Sequence, residues 1–136
     1  MITALDSSVI LDVLTNDSRF SEKSATALRR ASAEGKLIVC DCVIAEIFPV
    51  FVGKDKLDEF LKDWNLEFQP LDLPAAVLAG SYFATYLSRG GSAKRVIPDF
   101  LVGAHAVKHA DRLLARDRGY LKDYFKELSI WDPSSG

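Results

Sequence analysis

The sequence is poor in cysteine and has no long apolar run. Two cysteines, Cys40 and Cys42, are too few for a disulfide scaffold, so we expect reduced thiols. The longest uncharged stretches, such as residues 73–88, mix Pro, Gly, Ser and Thr with apolar residues and are too short to span a bilayer. The first residues show no basic segment followed by an apolar one, as a signal peptide would. We therefore expect a cytoplasmic protein without membrane contact.

Two common catalytic motifs are also missing. The clearest loop, residues 89–92, contains two glycines but lacks the lysine that a phosphate-binding P-loop needs. Ser7 and Ser8 do not lie in the Gly-x-Ser-x-Gly turn of serine hydrolases. These absences exclude a P-loop nucleotidase and disfavour a serine hydrolase.

Positive charge is concentrated in one part of the chain. The net charge is −2, yet residues 89–126 carry nine Lys or Arg and four Asp or Glu. A local basic rim of this kind suits contact with phosphates, whereas the chain as a whole would not coat a polyanion. The alternative is that these charges form an ordinary solvated surface.

Short apolar segments alternate with amphipathic ones over most of the 136 residues, of which 49% are hydrophobic. This alternation predicts an α/β fold, with a mostly parallel central sheet flanked by helices on both faces. We expect a single domain over residues 1–131 and a frayed tail over 132–136. Pro70 places its strand near an edge of the sheet. The predicted strands are 2–5, 37–40, 67–71, 112–116 and 128–131. The predicted helices are 9 to about 16, 22–34, 43–48, 54–64, 74–87 and 98–109, with a short turn or helix at 123–126.

Four acidic residues fall at the ends of these segments. Asp6 and Asp117 end strands, Glu46 lies on the helix after the second strand, and Asp99 begins a helix after Pro98. Because the carboxyl ends of parallel strands meet at one edge, we expect the four acids to converge there. Each also has a plainer interpretation, as a helix cap, a turn residue or a solvated side chain.

Acids gathered in this way repel one another unless protons or cations neutralise them. Carboxylate oxygens suit Mg²⁺ or Mn²⁺ better than zinc. Such an ion activates water and neutralises charge on a phosphodiester. An acidic pocket with a basic rim therefore favours phosphodiester hydrolysis.

Four motifs in order resemble those of PIN domains: residues 6–10, 43–47, 98–106 and 113–120. Their order and spacing, and the length of the chain, are similar to those of the small VapC-type toxins of toxin–antitoxin pairs. The resemblance implies a ribonuclease that depends on Mg²⁺ or Mn²⁺ and cuts RNA by in-line attack of a metal-activated water. It also implies a VapB-type antitoxin as partner, whose C-terminal segment covers the site, and a homodimer.

The resemblance assigns a role to each matching side chain. Asp6, Asp99 and Asp117 would hold the metal, Glu46 would complete the pocket or orient the nucleophile, and Ser8 would help to order Asp6. The fourth motif departs from the family in carrying Ala115 where Thr or Ser is usual, so we expect one hydrogen bond to be absent beside Asp117.

Other residues leave alternatives open. Arg116 and Arg118 flank Asp117 and would either contact RNA phosphates or lie free at the surface. His105 and His109 are spaced for a zinc pair, although no third ligand follows, so a packed or solvated pair is the other interpretation. Asp41 suits a helix cap. A catalytically inactive PIN-like binding or regulatory module remains the alternative function. A receiver domain or an Asp-x-Asp phosphatase is disfavoured because serines follow Asp6.

Overall fold

The computed structural model describes residues 1–135, and Gly136, the last residue of the predicted tail, lies outside the described residues. Five strands and seven α-helices alternate along this part of the chain. The strands are β1 (Ile2–Leu5), β2 (Lys36–Val39), β3 (Leu66–Phe68), β4 (Arg112–Leu114) and β5 (Ile130–Trp131). The helices are α1 (Ser7–Leu14), α2 (Ser21–Glu34), α3 (Asp41–Ile47), α4 (Lys54–Asp63), α5 (Leu73–Ser88), α6 (Pro98–His109) and α7 (Tyr120–Tyr124), with a 3₁₀ turn at Phe48–Val50.

All five strands run parallel in the order β3-β2-β1-β4-β5, so the predicted α/β class is confirmed. The chain builds outward from β1 to β3 on one side and then returns to add β4 and β5 on the other. Right-handed crossovers therefore place α1 to α4 on one face of the sheet and α5 to α7 on the other. Between β1 and β4 the direction of winding reverses, and open α/β sheets bind their ligands beyond the carboxyl ends of strands at such a point.

The hydrophobic core lies on both faces of the sheet. Ala4, Leu5, Val39, Leu113 and Leu114 on the three central strands are all at most 2% exposed. Strands that are buried on both faces form continuous apolar runs, which explains why these segments showed no alternation in the sequence. Within the described residues, no helix has the length and apolar character needed to cross a membrane.

The element boundaries differ from the predictions mainly near the carboxyl end of the chain. The short helix begins at Tyr120 instead of 123, because the Asp117 carboxylate accepts hydrogen bonds from the backbone N–H groups of Gly119 and Leu121 (2.9 and 3.2 Å) and so starts the helix early. Gly119 has a φ of 106°, a conformation that favours glycine. As predicted, β3 is an edge strand, and it ends at Phe68, before Pro70.

Residues 132–135 are hydrogen-bonded where we expected a frayed tail. The Asp132 carboxylate accepts from the backbone N–H and the hydroxyl of Ser134 (2.8 and 2.6 Å) and from the backbone N–H of Asp117 (3.1 Å). Pro133 is buried. The Pro and Ser content suggested fraying, but this Asx-type turn ties the segment to the end of β4.

Gly103 on α6 allows α7 to pack closely. A Cβ atom at this position would lie 2.8 Å from the Phe125 ring and 3.0 Å from Leu121 Cδ2. Since both neighbours are buried, they have little room to move. The contact is not evident from the sequence of α6, because it depends on which residues pack against this helix in space.

Replacing Gly103 with alanine is expected to destabilise the protein by about 1–3 kcal/mol, the usual cost of overpacking a core, in spite of the better helix propensity of alanine. Urea unfolding followed by circular dichroism measures this loss. Gly80 on α5 has open space around its Cβ position, so Gly80→Ala is the control and should not destabilise. Equal stability of the two variants would contradict the packing argument.

Candidate functional site

Asp6 lies at the reversal of the sheet winding, directly beyond the end of β1. Its backbone N–H donates to the carbonyl of Leu114 on β4 (3.0 Å), so the ends of the two central strands are joined at this residue. Its carboxylate also caps α1 by accepting from the backbone N–H of Ser8 (3.3 Å). Asp6 is thereby fixed by both elements that meet at the site.

The Ser8 hydroxyl links Asp6 to the opposite side of the site. It donates to Asp6 Oδ2 (2.6 Å) and accepts from the backbone N–H of Arg116 (3.1 Å). A hydroxyl group that donates one bond and accepts another has a fixed orientation. Ser8 therefore orients the Asp6 carboxylate against the backbone that follows β4.

The environment of Asp6 opposes its negative charge. Burial raises the pKa of its carboxyl group, and the charge of Asp99 raises it further, although the hydrogen bonds from Ser8 act in the other direction. Removing a carboxylate from water costs free energy unless a positive partner compensates. Asp6 is thus held in a position that favours either a proton or a cation.

Glu46 on α3 stands at the rim of the same site. Its side chain is exposed to solvent, as the plainer interpretation of this residue expected, yet Ser7 donates a hydrogen bond to its Oε1 atom (3.1 Å). Partial removal from water raises the pKa of Glu46, and the charges of Asp6 and Asp99 add to the increase. The pairing with Ser7 was missed in the sequence, where only Ser8 had been considered.

Cys42, one turn before Glu46, contributes no nucleophile. Burial and the charge of Glu46 raise the pKa of its thiol to about 12. Its Sγ atom lies 4.0 Å from Glu46 Oε1. A thiol with such a pKa is protonated at neutral pH and therefore unreactive.

Asp99, in the first turn of α6, is buried with 7% exposure and is paired with Arg118. Nη2 of Arg118 donates to Asp99 Oδ1 over 2.6 Å. The bond to Asp99 raises the pKa of the guanidinium group, with smaller contributions from Asp6 and Glu46. The structure therefore brings together Asp6, Glu46 and Asp99, and it adds Arg118 to them.

Asp117 is engaged differently from the other three acids. Its carboxylate accepts from the backbone N–H groups at the start of α7, including that of Lys122 (3.0 Å). Both oxygens are used within this turn, and the charges that shift the pKa of Asp6 and Glu46 most do not include Asp117. Its observed contacts fix the backbone on either side of Arg118.

Arg116 points away from the site into a partly buried ion pair. Its guanidinium donates two hydrogen bonds to Asp12 of α1 (2.8 and 2.9 Å), and it stacks over the Phe20 ring at 4.3 Å. Ser24 donates a further bond to Asp12 (2.8 Å). The contact of Arg116 with RNA phosphates, suggested from the sequence, gains no support from this arrangement. Asp12 had not been singled out in the sequence.

The two histidines of α6 lie apart from the acids. Nε2 of His105 donates to the carbonyl of Gln69 (2.8 Å), and burial lowers the pKa of this ring. Nε2 of His109 lies 2.7 Å from Asp72 Oδ2. These contacts favour the interpretation of His105 and His109 as packed side chains over their interpretation as zinc ligands. The Asp41 carboxylate, in the first turn of α3, accepts from the backbone N–H of Leu71 (3.2 Å) and so joins this helix to the loop after β3.

The donor set fits a hard divalent cation in its chemistry. Asp6, Glu46 and Asp99 present carboxylate oxygens, which Mg²⁺ and Mn²⁺ prefer. The pKa values of Asp6 and Glu46 are raised, so their charged forms are disfavoured, and a bound cation would stabilise those charged forms. The oxygens do not surround one point in advance: within residues 1–135, no group of three or more His, Cys, Asp or Glu is placed to hold a metal ion. Binding would therefore require these side chains to rearrange.

The fold is shared with chains of solved VapBC and FitAB structures. The chain superposes on VapBC2 from Rickettsia felis bound to a promoter DNA fragment with a TM-score of 0.72 at 21% identity, covering 97% of this chain and 100% of that one. FitAcB from Neisseria gonorrhoeae gives 0.71 at 19%, with both chains covered fully. DNA-bound VapBC from Salmonella typhimurium gives 0.71 at 14%, with 98% of each chain covered.

These identities are low enough that the likeness concerns the fold alone. No curated protein sequence matches the chain significantly. A family model, however, matches residues 3–126 and is that of the PIN domain. The resemblance that the four motifs suggested is thereby confirmed, and the chain belongs to the PIN-domain family.

Proposed function

We propose that the protein is an endoribonuclease dependent on Mg²⁺ or Mn²⁺ and that it is the toxin of a toxin–antitoxin pair. The observation that carries the proposal is the convergence of Asp6, Glu46 and Asp99 at the reversal of the sheet, where the charge of Asp99 raises the pKa of Asp6 and the charges of Asp6 and Asp99 raise the pKa of Glu46. Members of the PIN family are typically metal-dependent nucleases.

A bound divalent cation would supply an acidified water and neutralise the negative charge that develops on the phosphate. In this proposal Asp6 and Asp99 bind the cation, and Ser8 keeps the Asp6 carboxylate in place. Glu46 stands at the rim, where its raised pKa suits acceptance of a proton from the attacking water. For Asp117, the hydrogen bonds favour a positioning role over the direct metal contact that the resemblance implies.

The proposal extends to partners and location. The structural neighbours are components of toxin–antitoxin complexes, which supports a VapB-type antitoxin as the partner. A homodimer is supported by α5, which carries no charged residue and exposes Leu73 and Val77 (76% and 62%) to solvent. RNA as substrate would place the activity in the cytoplasm.

Two observations favour a second candidate, a catalytically inactive PIN-like binding or regulatory module. The carboxylates are not arranged in advance around a cation, and Arg118 already neutralises Asp99. A module of this kind would bind RNA or a protein partner without hydrolysis. It would be distinguished by divalent-metal binding without turnover of RNA.

Incubation of the purified protein with structured RNA and Mn²⁺ is expected to give specific cleavage, and EDTA should abolish it because no cation then acidifies the attacking water or neutralises the charge on the phosphate. Excess Mn²⁺ added after EDTA should restore cleavage. Gel analysis of end-labelled RNA measures the products. Cleavage that persists in EDTA would contradict metal dependence, and binding of Mn²⁺ without cleavage would favour the inactive module.

A further inference from the structure

The Arg118 guanidinium occupies a position next to the Asp99 carboxylate that a bound metal ion would need. It donates to Asp99 Oδ1, and its positive charge lowers the pKa of Asp6 and of Glu46 as well. It therefore acts electrostatically on all three carboxylates of the site. This explains why a buried aspartate is tolerated in the fold without a metal ion.

The Arg118 side chain is anchored only at its tip. Its side chain is 68% exposed, whereas the buried Asp99 side chain is 9% exposed. The backbone on either side of it is fixed, because Asp117 accepts three backbone hydrogen bonds and Asp132 accepts from the Asp117 N–H. The side chain can therefore leave Asp99 for solvent without any movement of the chain that carries it.

A divalent cation and the guanidinium would compete for the same Asp99 carboxylate. Two positive groups on one carboxylate repel each other, so binding of the cation favours departure of the arginine. We infer that Arg118 is a built-in counter-ion of the carboxylate site, which a divalent cation displaces when it binds at Asp99. This inference rests on the proposed function and adds a role for Arg118 to it.

Displacement also gives Arg118 a second partner. The released guanidinium remains at the mouth of the site, since its backbone stays fixed. A phosphodiester entering the site carries a negative charge, and guanidinium groups bind phosphate oxygens through two parallel hydrogen bonds. Arg118 thus exchanges the Asp99 carboxylate for the phosphate of the RNA.

Mn²⁺ binding to the purified protein without RNA, followed by electron paramagnetic resonance, tests the inference. Arg118→Gln is expected to bind Mn²⁺ about tenfold more tightly than the unaltered protein, which corresponds to about 1.4 kcal/mol, because the competing charge-assisted bond is gone. Arg118→Lys keeps a competing positive charge and should bind nearly as the unaltered protein does.

Lys122→Gln is the matched control, because it removes the same charge from an exposed residue of α7 that donates no side-chain bond to Asp99. Its Mn²⁺ affinity should change less than about twofold, as expected for a solvent-screened charge. Equal tightening in Arg118→Gln and Lys122→Gln would overturn the inference, since the effect would then be one of net charge. No tightening in Arg118→Gln would overturn it as well.

The steady-state kinetics of RNA cleavage separate this inference from the proposed function. Arg118→Gln is expected to raise KM for RNA while it tightens Mn²⁺ binding, two opposite changes that general loosening of the structure would not produce. Tighter Mn²⁺ binding in a protein that never cuts RNA would refute the nuclease and leave the counter-ion role standing. RNA cleavage by the unaltered protein, together with an Mn²⁺ affinity that does not change in Arg118→Gln, would refute the counter-ion role and leave the nuclease standing.

Discussion

Asp6→Asn is expected to lower the rate of RNA cleavage at least about a hundredfold. A cation that stabilises the transition state by several kcal/mol loses a charged ligand in this variant, and each 1.36 kcal/mol corresponds to a factor of ten in rate. Asparagine keeps the size of the side chain and its capacity to cap α1, so the fold should survive. Cleavage of end-labelled RNA at saturating Mn²⁺ measures the loss.

The stability of the same variant provides an independent check. Burial and Asp99 raise the pKa of Asp6, so the charged carboxylate is disfavoured in the folded state and the metal-free protein is destabilised above that pKa. Asp6→Asn removes the charge, and its melting temperature without metal at neutral pH should be equal to or higher than that of the unaltered protein. The difference should narrow as the pH falls through the raised pKa, because Asp6 then becomes neutral by protonation.

Asp55→Asn on α4 is the control for charge, because Asp55 is an exposed carboxylate outside the site. Its cleavage rate should remain unchanged. Full activity of Asp6→Asn would remove the proposed catalytic site. A large loss of stability in Asp6→Asn would show that the fold needs the charge, contrary to the argument from burial.

Asp12→Ala is expected to produce the largest loss of stability, about 2–3 kcal/mol. Removing one partner from a fully buried ion pair costs about 3–5 kcal/mol, and the value is reduced here because the Arg116 side chain is 31% exposed and can turn toward solvent. Asp12 itself is 3% exposed and also accepts a bond from Ser24. Urea unfolding of the purified variant measures the change.

An exposed pair on α4 supplies the matched comparison. Lys54 and Asp58 are 2.7 Å apart, with side chains 77% and 52% exposed, so Asp58→Ala should cost no more than about 0.5 kcal/mol. If Asp12→Ala also lowered the free energy of unfolding by no more than about 0.5 kcal/mol, the pairing of Asp12 with Arg116 would contribute as little as a surface contact. A double-mutant cycle of Asp12→Ala with Arg116→Met isolates the energy of the pair.

The sequence was sufficient to predict the fold and the placement of the acids that converge in the candidate site. The buried strands form continuous apolar runs, and the parallel arrangement that follows from alternating helices brings Asp6 and Asp99 to one edge. Glu46 could be found because apolar residues surround it along α3. Since the carboxyl ends of parallel strands always meet, these positions depend on topology and not on the details of packing.

The partners of these side chains could not be predicted in the same way. Asp12 lies between Leu11 and Val13, the same signal that singled out Glu46, but its partner Arg116 is 104 residues away. The turn after β4 decides that Arg118 pairs with Asp99 and that Arg116 pairs with Asp12. That turn is shaped by the bonds to Asp117 and by the φ of Gly119, which no local pattern specifies.

The link that Ser8 makes between Asp6 and the chain after β4 affects how this chain can tolerate substitutions. A short path of hydrogen bonds, from Leu114 through Asp6 and Ser8 to Arg116, joins the ends of β1 and β4 at the site. The surrounding helices can then exchange residues while this part of the site keeps its shape.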